Sequence, residues 1–498
     1  MTVPTGGEQR VRRVVIAGGG TAGWLAAAAL SHQLGALLDI TLVESDEIGT
    51  VGVGEATIPT VRAFHTLIGL DERTFLQATN ATFKLGISFE NWGRIGDRYI
   101  HSFGTLGRST WMGEFHHFWL HARARGLAGE IGEYCLEHQA AAAERFATGA
   151  DAETSYAFHL DATLYARHLR ARSEAAGVTR VEGRIARVLR NEENGEITAL
   201  ALDDGTMVPG DLFLDCTGFR ALLLGETLEV GFEDWSEWLQ TDRALAVQTD
   251  AVRPAAPYTR AVAHDAGWRW QIPLQNRVGN GLVYASAYLD DEAARERLLK
   301  SLDGPTRTEP RLIRYRTGRR EQAWAANCIA IGLSSGFVEP LESTSIHLIM
   351  IAITRLMQLF PFGGCHDGLR RRFNQQSRTE LERVRDFIIL HYKLTERDDS
   401  AFWRHCRDMS VPPSLADRLS LWREDAHAYQ GAEDLFRVDS WVQVMLGQRF
   451  EPGGHHLLGT IMSDDRLRQT FENMRRAIAA RVAAMPAHGD FLHRYAAA

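Results

Sequence analysis

The sequence predicts an α/β protein with a dinucleotide-binding βαβ start, a second module interleaved with it, and a mainly helical C-terminal part. Three observations carry that prediction. A glycine turn, Gly18-Gly19-Gly20-Thr21-Ala22-Gly23, joins an apolar run to an alanine-rich one. Short alternating segments fill the middle of the chain, and helical periodicity takes over after Phe337.

Taken in order, residues 13–17 (RVVIA) read as a buried strand, 24–34 as a helix, and 39–44 (DITLVE) as a second strand. Residues 179–202 alternate as strands around a turn at Asn194-Gly195. A further turn at Asp203-Asp204-Gly205 leads to a strand over 211–215, and short strands resume between Tyr258 and Tyr288. Residues 371–392 and 465–483 have the spacing of amphipathic helices. No repeat, low-complexity tract or linker divides the chain, so the modules are expected to be discontinuous. The nucleotide module is assigned to 1–110, 151–225 and 320–365, and the substrate module to 111–150, 226–319 and 366–498.

Composition removes several function classes. With 498 residues, 45% of them hydrophobic, the chain can bury large cores, and its net charge of −8 argues against a nucleic-acid partner. Five scattered cysteines without a CxxC pair suggest neither zinc nor a disulfide framework, and no metal is expected. Residues 346–353 form an apolar run that carries His347 and soon meets Arg355, far short of the roughly 20 residues a membrane span needs. The N-terminal MTVPTGGEQRVRR lacks the apolar stretch of a secretory signal. A cytoplasmic protein without membrane attachment is the expectation.

The glycine turn fits GxGxxG, and each part has a task. Gly18 permits the turn, Gly20 lets a pyrophosphate approach the backbone, and Gly23 lets the helix pack closely. Thr21 and Ala22 open that helix, whose N-terminal amides carry partial positive charge. Glu44, at the end of the next strand, is placed to accept hydrogen bonds from the adenosine ribose. This pattern does not separate FAD from NAD. The strand and turn DLFLDCTGFR (211–220) resembles the adenine-side segment of glutathione-reductase-like flavoproteins, and CIAIGLSSGFVEPLESTSI (328–346) sits where those proteins place the helix facing the flavin. A glutathione-reductase-like FAD-binding fold is therefore favoured, with Leu333 beside the cofactor.

GWRWQIP (267–273) contains WxWxIP and, together with GGGTAGW (18–24), resembles the flavin-dependent halogenases, whose best-known members act on tryptophan. VGVGEATIP (51–59) looks like that family's flavin strap, FKLG (83–86) like its catalytic-lysine segment, and FVEPLESTS (337–345) like its carboxylate and halide segment. The resemblance covers nearly the whole chain. It implies a two-component enzyme fed with FADH2 by a separate flavin reductase. Such an enzyme converts O2 and chloride or bromide, through a flavin hydroperoxide, to hypohalous acid, which halogenates an electron-rich ring. It places Val53 and Ala56 of the strap at the flavin, and Trp268, Trp270, Ile272 and Pro273 near the isoalloxazine to exclude direct oxygenation of the substrate. A homodimer is a family-level expectation.

Residue by residue, the bland readings stand beside the chemical ones. Strand alternation alone turns Lys84 outward into water; the family match makes it the handle on hypohalous acid, through a hydrogen bond or a haloamine. Glu342 fits a helix N-terminal acid and also the base that takes the ring proton. Thr344 and Ser345 offer amides for a halide, although the family commonly has glycine where this chain has Ser345. Glu55 reads as a salt-bridge or solvent-facing acid, with a flavin-loop role as the alternative. His101 and Phe103 match a segment that packs on substrate in tryptophan-specific members, against an exposed-loop reading for the histidine. Ser343 is included among the substrate residues.

The C-terminal region departs from the tryptophan-specific pattern. Residues 439–447 (DSWVQVMLG) and 451–456 (EPGGHH) lack the tyrosines that would hold an amino acid's charged groups. A buried zwitterion without partners is costly, so indole or an indole derivative is expected rather than free tryptophan. His455-His456, without a third ligand, reads as a polar loop. The alternatives are an FAD-dependent aromatic hydroxylase, which would carry Gly-Asp where this chain has Gly332-Leu333, and a flavin-binding sensor without catalysis.

Overall fold

A computed structural model describes residues 11–47, 54–149 and 153–497. Its first layer is a six-stranded sheet in the order Trp324–Ala325, Cys328–Ala330, Leu212–Asp215, Arg13–Ala17, Asp39–Glu44, Thr179–Glu182. All neighbours are parallel except the antiparallel edge pair Trp324–Ala325 with Cys328–Ala330. Parallel strands covered on both faces must be apolar throughout, and Val14 to Ala17 are accordingly buried without alternation. The helix Thr21–Leu34 covers one face and is itself overlaid by the helices Ala162–Ala175 and Ser345–Gln358, so Trp24 to Leu30 are all buried. It begins three residues before the position expected from hydrophobic pattern, because the turn after Gly20 is already helical.

A seven-stranded sheet forms the second layer, in the order Arg311–Arg314, Arg243–Thr249, Val278–Tyr284, Gly267–Pro273, Tyr258–His264, Gly86–Glu90, Arg98–Ser102. Here the assignment of residues 1–110 to the nucleotide module is corrected. Gly86–Glu90 pairs with Tyr258–His264 and with Arg98–Ser102, so this stretch belongs to the second sheet. A small sheet of Gly54–Ala56, Ala157–Asp161 and Thr82–Lys84 lies between the two layers. Its position brings the strand ending in Lys84 next to the nucleotide module.

Helices Asp367–Lys393, Ala401–Asp408, Pro413–Asp425 and Val438–Gly447 close over the seven-stranded sheet. The longest, Asp367–Lys393, changes character along its length: early residues are amphipathic, whereas Phe387 to Tyr392 are buried without interruption. That apolar end enters the second core against Phe89, Trp92 and Trp403. Among the described residues, no helix is long and apolar enough to cross a membrane.

Candidate active site

A cavity of about 760 Å³ runs from the glycine turn to the segment that follows Phe337. Gly18 has φ +106°, and a Cβ there would stand 2.4 Å from the Cys216 carbonyl oxygen, so only glycine makes this turn. Gly23 meets the Gly18 carbonyl, where a Cβ would lie 1.9 Å away. Gly20 differs: a Cβ on it would meet nothing within 4 Å, because it faces the open cavity. Thr21, Ala22, Ala56 and Leu333 also line the space. Val53 lies outside the described residues.

Glu44 lines the cavity but is less free than the sequence suggested. Its Oε1 accepts from Arg180 at 2.6 Å and Arg170 at 3.2 Å, and its Oε2 accepts from Trp24 Nε1 at 3.2 Å. Two arginines some 130 residues away in sequence thus hold the acid in place, leaving acceptor capacity on Oε2 for a ribose hydroxyl. Glu55 is not solvent-facing and has no ion-pair partner among the described residues. It lines the cavity, and burial pushes its carboxyl up to about 7.

Trp268, Trp270 and Ile272 form one wall, projecting from alternate positions of the strand Gly267–Pro273. The same alternation removes Pro273 from that wall. It lines a separate small hollow with Arg260 and Gln271, and its carbonyl accepts from the Thr82 hydroxyl. Trp268 Nε1 donates to Glu339 Oε2 at 2.7 Å. Tyr392 and Thr241 hydroxyls donate to the same oxygen at 2.8 and 3.2 Å. Burial pushes the Glu339 carboxyl up to about 7 despite these donors. Sequence reasoning passed over Glu339, although it stands three residues before Glu342 in the same motif.

Lys84 is completely buried, which overturns the outward reading. Its Nζ donates to the Thr57 carbonyl at 3.1 Å and to Ser343 Oγ at 2.7 Å, and it stands 5.1 Å from the centre of the partly buried Phe103 ring. Desolvation brings the ammonium down to about 7, with Glu342 opposing. An amine so poised can hold a proton or give one up near neutral pH.

Ser343 itself is left-handed, φ +61° and ψ 34°, an uncommon conformation for a residue with a side chain. This kink separates the short 3-10 turn Pro340–Glu342 from the helix Ser345–Gln358. Glu342 is therefore not an exposed helix-capping acid. It is buried, and His101 Nδ1 lies 2.9 Å from both of its oxygens while His391 Nε2 lies 2.9 Å from Oε1. Burial pushes the carboxyl up, but the two histidines outweigh it and hold it below the usual carboxylate range. His101 is buried as a partner of Glu342, not exposed on a loop. Nothing in the sequence around His391 marked it, since it sits in an otherwise apolar helix end.

Ser343 and Ser345 line the cavity at the start of the helix Ser345–Gln358. Thr344 is wholly buried and its Oγ1 has no hydrogen-bond partner among the described residues, so its hydroxyl as well as the backbone amides is a donor at this helix start. The C-terminal segment that departs from the tryptophan pattern is the helix Val438–Gly447, laid across the strand Arg98–Ser102. Its polar groups are already engaged: Asp439 accepts from the Leu106 amide at 2.9 Å, and Gln443 Oε1 accepts from the Ser102 hydroxyl at 2.8 Å. His456 Nδ1 accepts from the Leu458 amide, and no group that could hold a metal occurs among the described residues.

Comparison with known proteins places this geometry in a family. The tryptophan halogenase family model matches residues 13–464. The chain is 38% identical over 443 residues to tryptophan 6-halogenase SttH from Streptomyces toxytricini, covering 82% of this chain and 84% of that protein. Among solved structures it is similar to Xcc4156, a flavin-dependent halogenase from Xanthomonas campestris, with TM-score 0.96 and 53% identity over 98% of this chain and 99% of that one. It is also similar to BrvH, a flavin-dependent halogenase from Brevundimonas sp. BAL3, with TM-score 0.93, 46% identity and the same coverage.

Proposed function

The chain belongs to the tryptophan halogenase family of flavin-dependent halogenases, and from that premise we propose that its buried Lys84, Ser343 and Glu342 halogenate indole or an indole derivative. The observation that carries the reading is the hydrogen bond from buried Lys84 to Ser343, the residue next to Glu342 that lines the long cavity. A buried lysine and the buried carboxylate next to its Ser343 partner supply the two polar tasks of electrophilic substitution.

The residues present fit FAD. Gly20 faces open space at a helix start, Glu44 is fixed with an acceptor to spare, and tryptophans wall the remainder. When bound and reduced by a separate flavin reductase, FAD supplies with oxygen and chloride or bromide the oxidising equivalent that becomes hypohalous acid. Backbone amides at Thr344 and Ser345 are proposed to hold the halide. Lys84 donates a hydrogen bond to the hypohalous oxygen, polarising the bond to halogen, and Ser343 aims that ammonium. The ring attacks halogen, and Glu342 stabilises the ring cation and takes its proton. Phe103 and His101 border the position where the ring would lie. Trp268, Trp270 and Ile272 keep that ring away from the cofactor's own oxygen chemistry.

Indole is preferred over free tryptophan because Asp439 and Gln443, polar groups of the C-terminal helix, are engaged inside the protein. A buried ammonium or carboxylate would then lack a partner. The test is mass spectrometry of products from purified protein, FAD, flavin reductase, NADH, oxygen and either halide, with indole and tryptophan as competing substrates. A halogen isotope pattern on indole that Lys84→Ala abolishes is the expected result. A hydroxylated product, or preferential halogenation of tryptophan, would overturn the corresponding part of the reading.

A further inference from the structure

The last turn of the helix Asp367–Lys393 touches two carboxylates of one short segment. Tyr392 donates to Glu339, and its neighbour His391 lies against Glu342. His391 is fully buried, with the Phe89 ring centre 4.8 Å from its own. Its Nδ1 is 2.8 Å from the Phe387 carbonyl oxygen. A carbonyl only accepts, so Nδ1 carries a proton. The other nitrogen, Nε2, is 2.9 Å from Glu342 Oε1, a contact too bent for a hydrogen bond, and has no hydrogen-bond partner among the described residues.

With Nδ1 protonated, a neutral ring would present a lone pair from Nε2 to a carboxylate oxygen. A lone pair and an anion at that distance in a dry interior repel, so Nε2 carries a proton as well and the ring is a cation. The other titratable groups turned toward Glu342 are His101 and Tyr99 on the strand Arg98–Ser102, and Lys84 on Thr82–Lys84. Gln448 bridges the same elements, donating to the His391 carbonyl at 2.9 Å and to the Tyr99 hydroxyl at 3.3 Å.

We infer that His391 is a positioning residue for halogenation, whose protonated ring, together with His101, fixes the Glu342 carboxylate in one orientation and keeps it ionised to receive the substrate's ring proton. The inference rests on the reading of Glu342 as the base. In that step the ring C–H bond breaks, its electron pair restores the aromatic ring, and the proton bonds to the Glu342 carboxylate. Nothing is oxidised or reduced. With a cation held against Oε1, the carboxylate keeps one orientation and stays ionised between turnovers.

The test uses the full chain with FAD and reductase, halogenating indole, in His391→Phe and His391→Gln. His391→Phe is expected to lower kcat at least tenfold, within the range that a general base contributes. KM for indole and FAD affinity should stay within twofold. The acid limb of the kcat profile should move to higher pH, and a primary isotope effect should appear on ring-deuterated indole as proton removal becomes limiting. His391→Gln, which restores an N–H toward Oε1, should recover part of kcat and reduce the isotope effect. Wild-type kcat in His391→Phe would overturn the inference, as would equal losses in both variants with unchanged pH profile and isotope effect.

A flavin-free readout separates this inference from the functional one. In 15N-histidine-labelled protein, a strongly downfield exchangeable proton correlated with His391 Nε2 is expected and should vanish in Glu342→Gln. Its absence from the wild type would overturn the protonated His391 ring whatever the enzyme's activity. Failure of the wild type to halogenate would overturn the functional reading and leave the proton to the spectrum.

Discussion

Replacing Lys84 by methionine is expected to make the protein more stable and inactive at once. Burial lowers the ammonium from 10.5 to about 7, with Glu342 opposing. Each tenfold change in proton affinity is about 1.4 kcal/mol, so the native state carries a penalty of roughly 5 kcal/mol at pH 7. Methionine fills much of the same volume without charge, but strips the Thr57 carbonyl and Ser343 hydroxyl of their donor. At about 1 kcal/mol for each lost bond, the net gain is about 3 kcal/mol at pH 7. The pH dependence has a definite sign. The folded pKa lies below the unfolded one, so between about pH 7 and 10.5 the unfolded chain binds more protons and wild-type stability rises with pH. At about pH 9 the penalty has fallen to roughly 2 kcal/mol, which the lost hydrogen bonds offset, and the two proteins should be nearly equal. Urea unfolding of the flavin-free proteins at these two pH values measures the gap. A variant less stable than wild type at pH 7, or a gap that does not shrink toward pH 9, would refute the claim that the fold holds Lys84 against its own solvation.

Gly20→Val adds a side chain to open cavity space on extended backbone, φ −75° and ψ −172°. Flavin-free stability should change by less than about 0.5 kcal/mol while FAD affinity, measured by fluorescence titration, falls at least tenfold; equal affinity would place the pyrophosphate elsewhere. Gly23→Ala pushes a Cβ against the Gly18 carbonyl, so thermal unfolding should show a loss of about 1–3 kcal/mol. Glu339→Leu leaves the Trp268, Tyr392 and Thr241 donors without an acceptor and should cost on the order of 3–5 kcal/mol. Glu339→Gln keeps an oxygen there and should cost about 1 kcal/mol; similar losses in the two, by urea unfolding, would show that packing rather than hydrogen bonding governs the position.

The parts of this molecule that were legible in the sequence are those whose physics is local. A turn that must contain glycine at Gly18 and Gly23, parallel strands apolar on every residue, and a 27-residue helix with a repeating face all leave their mark within a few neighbours. The partners that set the chemistry leave none. Arg170 and Arg180 reach Glu44 from beyond the first βαβ unit, and His391 reaches Glu342 from a different layer. Pro273 failed for the complementary reason: the motif names four residues, but strand geometry gives the cavity only three of them. Lys84 shows where the two kinds of information meet. Alternation alone turns it outward, yet in so short a strand, capped by Phe103 and the Ser343 kink, no face is left for water. A charge is kept there at a cost to stability that a neutral side chain would avoid. Such a cost fits a charge that does chemistry, and it supports the proposal that Lys84 acts with Glu342 in the reaction.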